Sequence, residues 1–246
     1  MSTSGPRQFP ETRRTLVAGL AAADESVRAR AVELLIETYW KPVYQHLRLR
    51  CSRSPADAQD STQSFFASVI ERGWLADFDA SRSKFRTFLR VLVDRFAANE
   101  DRAARAEKRG GGRAPLPLDF EGAERELPAA AAIDDPDRRF EVEWRRQLFA
   151  GAIDALERDC RARGRPERFA AFSRIDLADG DARPSYADVA RDLGVDVVRV
   201  TNDLAAARRE LKRLVIERLE RLTESRAEFD DELRRLLGAR GPGGDA

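Results

Sequence analysis

The residues best suited to binding chemistry lie between positions 82 and 113, where ten Lys and Arg residues accompany four Asp and Glu residues. Apolar residues recur there at helical spacing and form one stripe, made of Phe85, Phe88, Leu89, Leu92 and Phe96. Polar residues flank this stripe on both sides: Arg86 and Arg90 on one, and Arg95, Asn99 and Arg102 on the other. Such a helix is suited to a polyanion, although an ordinary core helix with a solvated basic face gives the same pattern.

Charge is strongly segregated along the 246 residues, whose formal net charge is only +1. Residues 119–143 hold nine acidic and three basic residues, which offset the basic stretch before them. Alternation by segment predicts one surface for a polyanion and a separate acidic segment, not a uniformly basic binder.

Several functional classes have no support in the residue types. No run approaches the roughly 18 apolar residues that span a bilayer, and the opening MSTSGPRQFP has no signal-peptide core, so we expect no membrane association. Cys51, Cys160 and His46 cannot form a usual zinc set, and we expect reduced cysteines in the cytoplasm. We expect no enzyme, metal or cofactor, because no phosphate-binding glycine loop is present; His46 should be a surface or boundary residue.

Capping signals place the first helices. After a disordered lead over 1–9, the pattern predicts a helix over 11–22 and a second one capped by Asp24 or Ser26, which Pro42 kinks or ends. Ser54, Pro55 and Asp57 together predict the start of a third helix. On this third helix one face is apolar, and the opposite face carries Asp57, Asp60, Ser64, Ser68 and Glu71.

Residues 114–137 contain four prolines, an alanine run and the acidic cluster, and no helical or strand period is evident in them. This composition predicts a flexible acidic linker and a domain boundary. A long amphipathic helix is expected from residue 138, and a break at Gly164 and Pro166 precedes a shorter helix.

The C-terminal part predicts a helix-turn-helix. Ser185 with Asp188 forms a capping box, Gly194 permits a tight turn, and Asp196 can cap a second helix. A plain helical hairpin is the alternative. The last helix is expected to continue to Leu237 before a flexible tail over 238–246.

Together these segments resemble the sigma-70 family of bacterial RNA polymerase sigma factors, in particular its extracytoplasmic-function branch. DAQDSTQSFFASVIE is similar to the branch's core-binding helix, usually close to DAEDLTQEFFARLLE, and the stretch from Ser83 resembles the promoter-melting helix. Residues 185–214 resemble the helix-turn-helix that binds the upstream promoter element. The resemblance implies an all-α protein with two small domains, a region 2-like bundle over 10–113 and a region 4-like domain over 138–237, joined by the linker.

The resemblance also implies partners and site residues. Core RNA polymerase would be the partner, through its β′ clamp and β flap, and the docking helix would contact the clamp through Asp57, Asp60, Gln63, Ser64 and Glu71. Minus-ten promoter DNA would contact Lys84, Arg86, Arg90, Arg95, Asn99 and Arg102, with a flipped base held by the loop 79–83. Minus-thirty-five DNA would contact Arg199, Thr201, Asn202, Arg208, Arg209 and Lys212.

Three departures from the family pattern matter. Gln59 and Ser64 stand where the docking helix usually has Glu, which removes two exposed ion pairs worth roughly 0.2–1 kcal/mol each. These positions adjoin a hydroxyl cluster, so phosphorylation of Ser61, Thr62 or Ser64 by a Ser/Thr kinase is one hypothesis for restoring the charge; small polar helix residues are the alternative.

The third departure is in the recognition helix, where Ala205 and Ala206 replace residues that are often basic. Asp203 could accept from a cytosine amino group or be an ordinary surface acid. An anti-sigma protein is a further possible partner. A helical adaptor that binds only proteins is the alternative function, and an enzyme is the least supported.

Overall fold

The computed structural model describes residues 15–106, 116–178 and 183–236, and within these ranges it has ten α-helices, a short 3₁₀ helix over Trp74–Asp77 and no strand. The all-α prediction is therefore confirmed. The helices are α1 (Leu16–Leu20), α2 (Glu25–Leu49), α3 (Pro55–Arg72), α4 (Phe85–Ala106), α5 (Phe120–Ala131), α6 (Pro136–Ala162), α7 (Pro166–Asp176), α8 (Tyr186–Leu193), α9 (Val197–Leu222) and α10 (Arg226–Leu236). None of the described helices is long and apolar enough to cross a membrane.

The predicted caps form. Asp24 begins α2 by accepting hydrogen bonds from the backbone N–H groups of Ser26 (2.8 Å) and Val27 (3.2 Å). Ser54 begins α3: its Oγ accepts from Asp57 N at 3.2 Å and donates to Asp57 Oδ2 at 2.7 Å. Pro42 does not end α2, which continues through it to Leu49.

A first hydrophobic core surrounds α2. Leu35, Tyr39, Val43 and Leu47 follow one another at four-residue intervals on α2 and are fully or almost fully buried. They pack in one cluster with residues from α1, α3, α4 and α5. Spacing of four residues keeps these side chains on one face, so α2 is the central element against which the others are placed.

A second core lies between α7, α8 and parts of two long helices. The first half of α6 contributes Trp144 and Leu148 to the first core, and its second half contributes Leu156 to the second. Likewise α9 contributes Leu204 to the second core and Leu219 to the first. The predicted division into domains over 10–113 and 138–237 is not confirmed, because continuous helices extend from one core into the other.

The segment 114–137, predicted to be a flexible linker without a helical period, contains the 12-residue helix α5. Asp119 caps it, and α5 is fastened to α2 by Glu124, which accepts from Tyr44 Oη and Arg48 Nε at 2.6 Å each. The prediction of no helix here is wrong. The prolines concealed the helix, although the alanine run favours helix, and the contacts of Glu124 with α2 stabilise it.

The C-terminal helix does not run unbroken to Leu237 as predicted. It stops at Leu222, where Thr223 takes an extended backbone conformation, and α10 starts at Arg226. The intervening Glu224 accepts a hydrogen bond from the backbone N–H of Val17 at 3.2 Å. This long-range contact, together with the serine cap at Ser225, which accepts from Glu228 N at 3.1 Å, accounts for the break. The predicted lead over 1–9, the first residues of the predicted helix over 11–22 and the tail over 238–246 lie outside the described residues.

Candidate nucleic-acid interface

The apolar stripe predicted for α4 is the face that packs into the first core. Phe85, Leu89 and Phe96 are buried, and Phe88 and Leu92 pack partly buried against the same cluster. Edge-to-face aromatic contacts fix this face, with ring centroids 5.6 Å apart for Tyr39 and Phe85 and 5.5 Å for Phe65 and Phe96. The orientation of α4 is therefore set by its rings, and its polar residues are placed accordingly.

The basic residues at the start of α4 are ion-paired inside the protein, which corrects the expectation that they present an open surface. Lys84 Nζ lies 2.8 Å from Asp231 Oδ2 on α10 and also pairs with Glu232. Arg86 is 7% exposed; its Nη2 lies 2.7 Å from Glu232 Oε1, and its guanidinium carbon lies 4.7 Å from the ring centroid of Trp144. Arg86 is thus held by contacts with both α6 and α10.

Arg90 is also paired. Its Nε lies 2.8 Å from Asp137 Oδ1 at the start of α6, and its Nη1 lies 3.1 Å from Asp94 Oδ2 one turn along α4. Three of the six residues predicted to contact minus-ten DNA are therefore neutralised by carboxylates. The helical spacing of α4 could not reveal these partners, because most of them come from distant helices.

The second half of α4 presents an exposed basic and amide surface. Arg95, Asn99 and Arg102 are exposed, and Arg102 donates to the Asn99 side chain and, at 3.2 Å, to the Ala98 carbonyl. Four further basic residues of the predicted stretch have side chains outside the described residues: Arg105, Lys108, Arg109 and Arg113. The described part of the predicted surface is thus reduced to this half of the helix.

The loop over 79–83, predicted to hold a flipped base, has a local turn of its own. Asp79 Oδ1 accepts from the Ser81 backbone N–H at 2.9 Å and from the Ser81 hydroxyl at 2.7 Å. The Ser81 hydroxyl and backbone hydrogen bonds lower the pKa of the Asp79 carboxyl. This loop is therefore ordered by a charged aspartate beside the exposed Arg82.

The two helices and the tight turn predicted near residue 194 are present: α8 ends at Gly194, and Asp196 caps α9. Ser185 Oγ accepts from Asp188 N at 3.1 Å, and Asp196 Oδ1 accepts from Arg199 N at 2.6 Å. Between the two helices Gly194 has φ +66°, and it ends α8 by donating to backbone carbonyls of that helix. These three residues fix where α8 begins and ends and where α9 begins.

Most of the predicted recognition residues are exposed on α9: Arg199, Thr201, Asn202, Arg209 and Lys212. Two others are engaged elsewhere in the protein. Arg208 makes a bidentate pair with Asp176 at 2.8 Å for both contacts, and this hydrogen bonding raises the pKa of its guanidinium. Asp203 accepts from Arg168 Nε at 2.9 Å. Its carboxylate is therefore engaged in an ion pair within the protein and is not free to accept from a cytosine.

Val198, which the sequence reasoning missed, is 69% exposed at the start of α9, beside the half-exposed Val197. Paired valines directly after the Asp196 cap were the signal that could have indicated it. An exposed apolar side chain at the first turn of such a helix can contact a thymine methyl group in a major groove.

Some of the residues predicted for docking lie on the outward face of α3. Asp57, Asp60 and Glu71 are exposed, and Ser64 is half-buried. Gln63 is partly engaged, since its side-chain oxygen accepts from Leu116 N at 2.6 Å. The face is therefore acidic at both ends and neutral at its centre.

Burial separates the hydroxyl residues of α3. Ser61 and Thr62 are buried, and Thr62 Oγ1 donates to the Ala58 carbonyl at 2.7 Å. Ser68, predicted to point outward, is also buried. Ser64 is thus the accessible one of the three proposed phosphorylation positions, because a kinase needs an exposed hydroxyl.

Two adjoining clefts beside α3 were not predicted. They have volumes of about 420 and 730 Å³ and share Arg28, Val32 and Ile70 in their linings. Ile70 is among the exposed large apolar residues. An apolar groove next to an acidic helix face is a surface suited to another protein.

His46 is buried, which corrects the expectation of a surface or boundary residue. Its Nε2 lies 2.7 Å from Asp94 Oδ1, and Cys51 lies close enough that the three possible ligand atoms fall within 4.8 Å of one another. Two ligands of one tetrahedral zinc ion would lie about 3.4 Å apart for usual bond lengths. The 2.7 Å separation is that of a hydrogen bond, and Arg90 already occupies the other Asp94 oxygen.

Both cysteines are free thiols, Cys51 half-buried and Cys160 buried. Burial raises the pKa of each thiol. A raised pKa keeps the thiol protonated and weakly reactive, which agrees with a structural role for both.

Comparisons with protein-family models, with curated proteins and with solved structures found no match for this chain.

Proposed function

We propose that this protein is a sigma-type transcription initiation factor, which binds core RNA polymerase and directs it to promoter DNA. The observation that carries the proposal is the pair of capped helices α8 and α9, with the Gly194 turn between them and an exposed polar face on the second helix. Arginine, threonine and asparagine on such a face are suited to phosphates and base edges in a major groove.

The exposed half of α4 supports a second DNA contact. Arg95, Asn99 and Arg102 lie together beyond the aromatic face that fixes the helix. Guanidinium and amide groups can bind the phosphates and base edges of a melted strand. In this proposal α4 holds the minus-ten element and α9 holds the upstream element.

Docking on polymerase is assigned to the outward face of α3. Asp57, Asp60 and Glu71 would meet basic residues of the polymerase clamp, and the apolar groove beside Ile70 would add contact area. The helix-turn-helix part would lie against the β flap. An anti-sigma protein is the further partner expected for such a surface.

Phosphorylation of Ser64 would add negative charge to the neutral centre of this face, about −1.5 to −2 at neutral pH. In a polymerase pull-down, Ser64→Glu should raise the retained fraction relative to Ser64→Ala. Thr62→Glu is the matched control, since it would place a charge at a buried position and should unfold α3 instead. Equal retention of the two Ser64 variants would refute this regulation.

A helical adaptor that binds only proteins is the second candidate. Ion pairing of Lys84, Arg86 and Arg90 within the protein favours it, because paired cations attract DNA less. The apolar groove beside α3 fits the adaptor equally well.

Run-off transcription on a mixed promoter library with core polymerase separates the two functions. A sigma factor should yield transcripts from a subset of templates, with a common sequence motif upstream of their starts. An adaptor should yield none, and its binding to DNA should lack a steep dependence on salt.

A further inference from the structure

We propose that α10 is an acidic clasp, formed by Asp231 and Glu232, which covers the basic start of α4 and must leave it before DNA can bind there. The inference rests on the proposed function, and it concerns how access to the α4 surface is regulated. Its basis is a set of contacts between residues about 147 positions apart in the chain.

The clasp binds the two cations that begin the predicted DNA surface. Glu232 is fully buried and pairs with both Lys84 and Arg86, and Asp231 Oδ2 lies 2.8 Å from Lys84 Nζ. Although burial raises the pKa of Glu232, the hydrogen bond from Lys84 and the charge of Arg86 leave it lower than usual. Glu232 is therefore charged at neutral pH and holds its partners as an anion.

Carboxylates of α6 also contact the basic residues near the start of α4. A cleft of about 260 Å³ lies among the start of α4, the start of α6 and α10, and it is lined by Lys84, Arg86, Arg90, Asp137, Glu141 and Arg235. Glu141 Oε1 lies 3.7 Å from nitrogens of both Arg86 and Arg235. Basic donors here bind carboxylates as they would bind phosphates, so the clasp and a DNA strand compete for the same groups.

Release of the clasp is structurally feasible. α10 has 11 residues and is joined to α9 by the short segment 223–225, so it can swing away without unfolding α9. Phe229 is the only α10 side chain among the buried hydrophobic residues of the described chain; Leu233 and Leu236 pack partly buried. The Lys84–Asp231 pair is partly exposed to water, where such pairs contribute little, so the buried Arg86–Glu232 pair is the main contact that release has to break.

A competing contact lowers apparent DNA affinity in proportion to the closed fraction. By thermodynamic reciprocity, DNA that binds the start of α4 must in turn weaken closure of α10. Both consequences can be measured on the full chain.

The main variant is the isosteric double change Asp231→Asn with Glu232→Gln, and the matched control is Asp230→Asn. Asp230 belongs to the same helix but pairs with Arg226 on α10 itself. The control substitution therefore removes a negative charge from α10 without breaking a contact to Lys84 or Arg86. Fluorescence anisotropy with a labelled mixed-sequence single-stranded DNA measures affinity, and a double Arg95→Ala, Arg102→Ala variant reports whether binding uses α4. Because the double change leaves Arg86 without its partner, Asp231→Asn alone serves if circular dichroism reveals lost helix.

We expect the main variant to bind about five- to tenfold more tightly than the unmodified chain, as a mostly closed clasp requires, and the control to bind equally. Equal affinity of the main variant and the unmodified chain, or equal tightening by Asp230→Asn, would overturn the clasp. If the clasp is overturned in this way but the Arg95→Ala, Arg102→Ala variant still binds DNA more weakly than the unmodified chain, the proposed function stands without the clasp. Absence of DNA binding by every variant, together with no promoter-dependent transcript, would overturn both.

Hydrogen exchange on the unmodified chain gives a test that needs no variant. Added DNA should accelerate exchange of the backbone amides of α10 while those of α2 stay protected. Saturating DNA that leaves α10 protection unchanged would also contradict the clasp.

Discussion

Arg86 and Glu232 are 146 residues apart in the chain, yet Arg86 Nη2 donates to Glu232 Oε1 at 2.7 Å in a buried environment. The guanidinium of Arg86 also lies over the ring of Trp144 on α6. One arginine at the start of α4 therefore connects α6 and α10. Because both charges are buried, each depends on the other for its stabilisation.

Glu232→Ala should lower the free energy of unfolding by about 3–5 kcal/mol, since it leaves Arg86 buried without its closest carboxylate. Asp230→Ala removes the same group from an exposed site on the same helix and should change stability by less than about 1 kcal/mol. Urea unfolding followed by circular dichroism measures both. Equal effects of the two substitutions would mean that the Arg86–Glu232 contact stabilises the fold no more than an exposed ion pair does.

Local signals in the sequence predicted the helix starts and the apolar face of α4. Ser54, Ser185 and Asp196 were recognisable because an N-cap bonds to residues two or three positions away. The aromatic stripe of α4 was recognisable because helical spacing alone puts its members on one face.

Contacts between distant segments could not be predicted in this way. No local pattern pairs Lys84 with Asp231, or Tyr44 with Glu124, so the partners of α4 and the helix α5 were both missed. Basic residues on one face of a helix do not reveal whether carboxylates cover them. The extent of the exposed surface on α4 therefore required the three-dimensional structure.

His46 should make the stability of the protein depend on pH. Its ring is buried, and this burial lowers the pKa of His46 below its ordinary value of 6.5. The nearby charges of Arg90 and Arg50 also lower this pKa, and the hydrogen bond to Asp94 acts in the opposite direction without reversing the shift. The unfolded chain then binds a proton more readily than the folded one. The free energy of unfolding should thus fall as pH drops below about 6.5 toward the lowered pKa, and this contribution should be constant above 6.5.

Because His46 is the only histidine, its ring resonances can be titrated by NMR without ambiguity. Urea unfolding between about pH 5 and pH 8 compares the unmodified chain with His46→Gln. As the pH falls below about 6.5, the free energy of unfolding should decrease more for the unmodified chain than for the variant, since glutamine does not titrate. A ring pKa at or above the ordinary value would contradict the prediction.

Gly194→Ala should lower stability by about 1–2 kcal/mol, because φ is +66° and an L side chain is strained in that region. A Cβ placed there would meet no atom within 4 Å, so the cost belongs to the backbone and not to a clash. Gly194→Asn should recover part of the loss, since asparagine tolerates this conformation better. Thermal unfolding of the three proteins compares them; equal losses for alanine and asparagine would indicate another cause.

The exposed residues of α9 should divide into two kinds in their effect on DNA binding. Arg209→Ala and Lys212→Ala should weaken binding to all duplexes alike and reduce the salt slope by about 1 each, because one phosphate contact is lost. Asn202→Ala should instead cost about 1–3 kcal/mol with the preferred sequence and relax the preference at one base pair.

Arg213→Ala is the control for this comparison, since Arg213 pairs with Glu210 and Glu217 on α9 itself and should leave DNA binding unchanged. Anisotropy titrations at several salt concentrations, with a duplex selected from the promoter library and a scrambled duplex, give both the slope and the preference. If Arg213→Ala weakened binding as much as Arg209→Ala, net charge and not position would govern affinity. If Asn202→Ala weakened binding to both duplexes equally, α9 would contact only the DNA backbone and not the bases. The sequence preference would then have to come from α4.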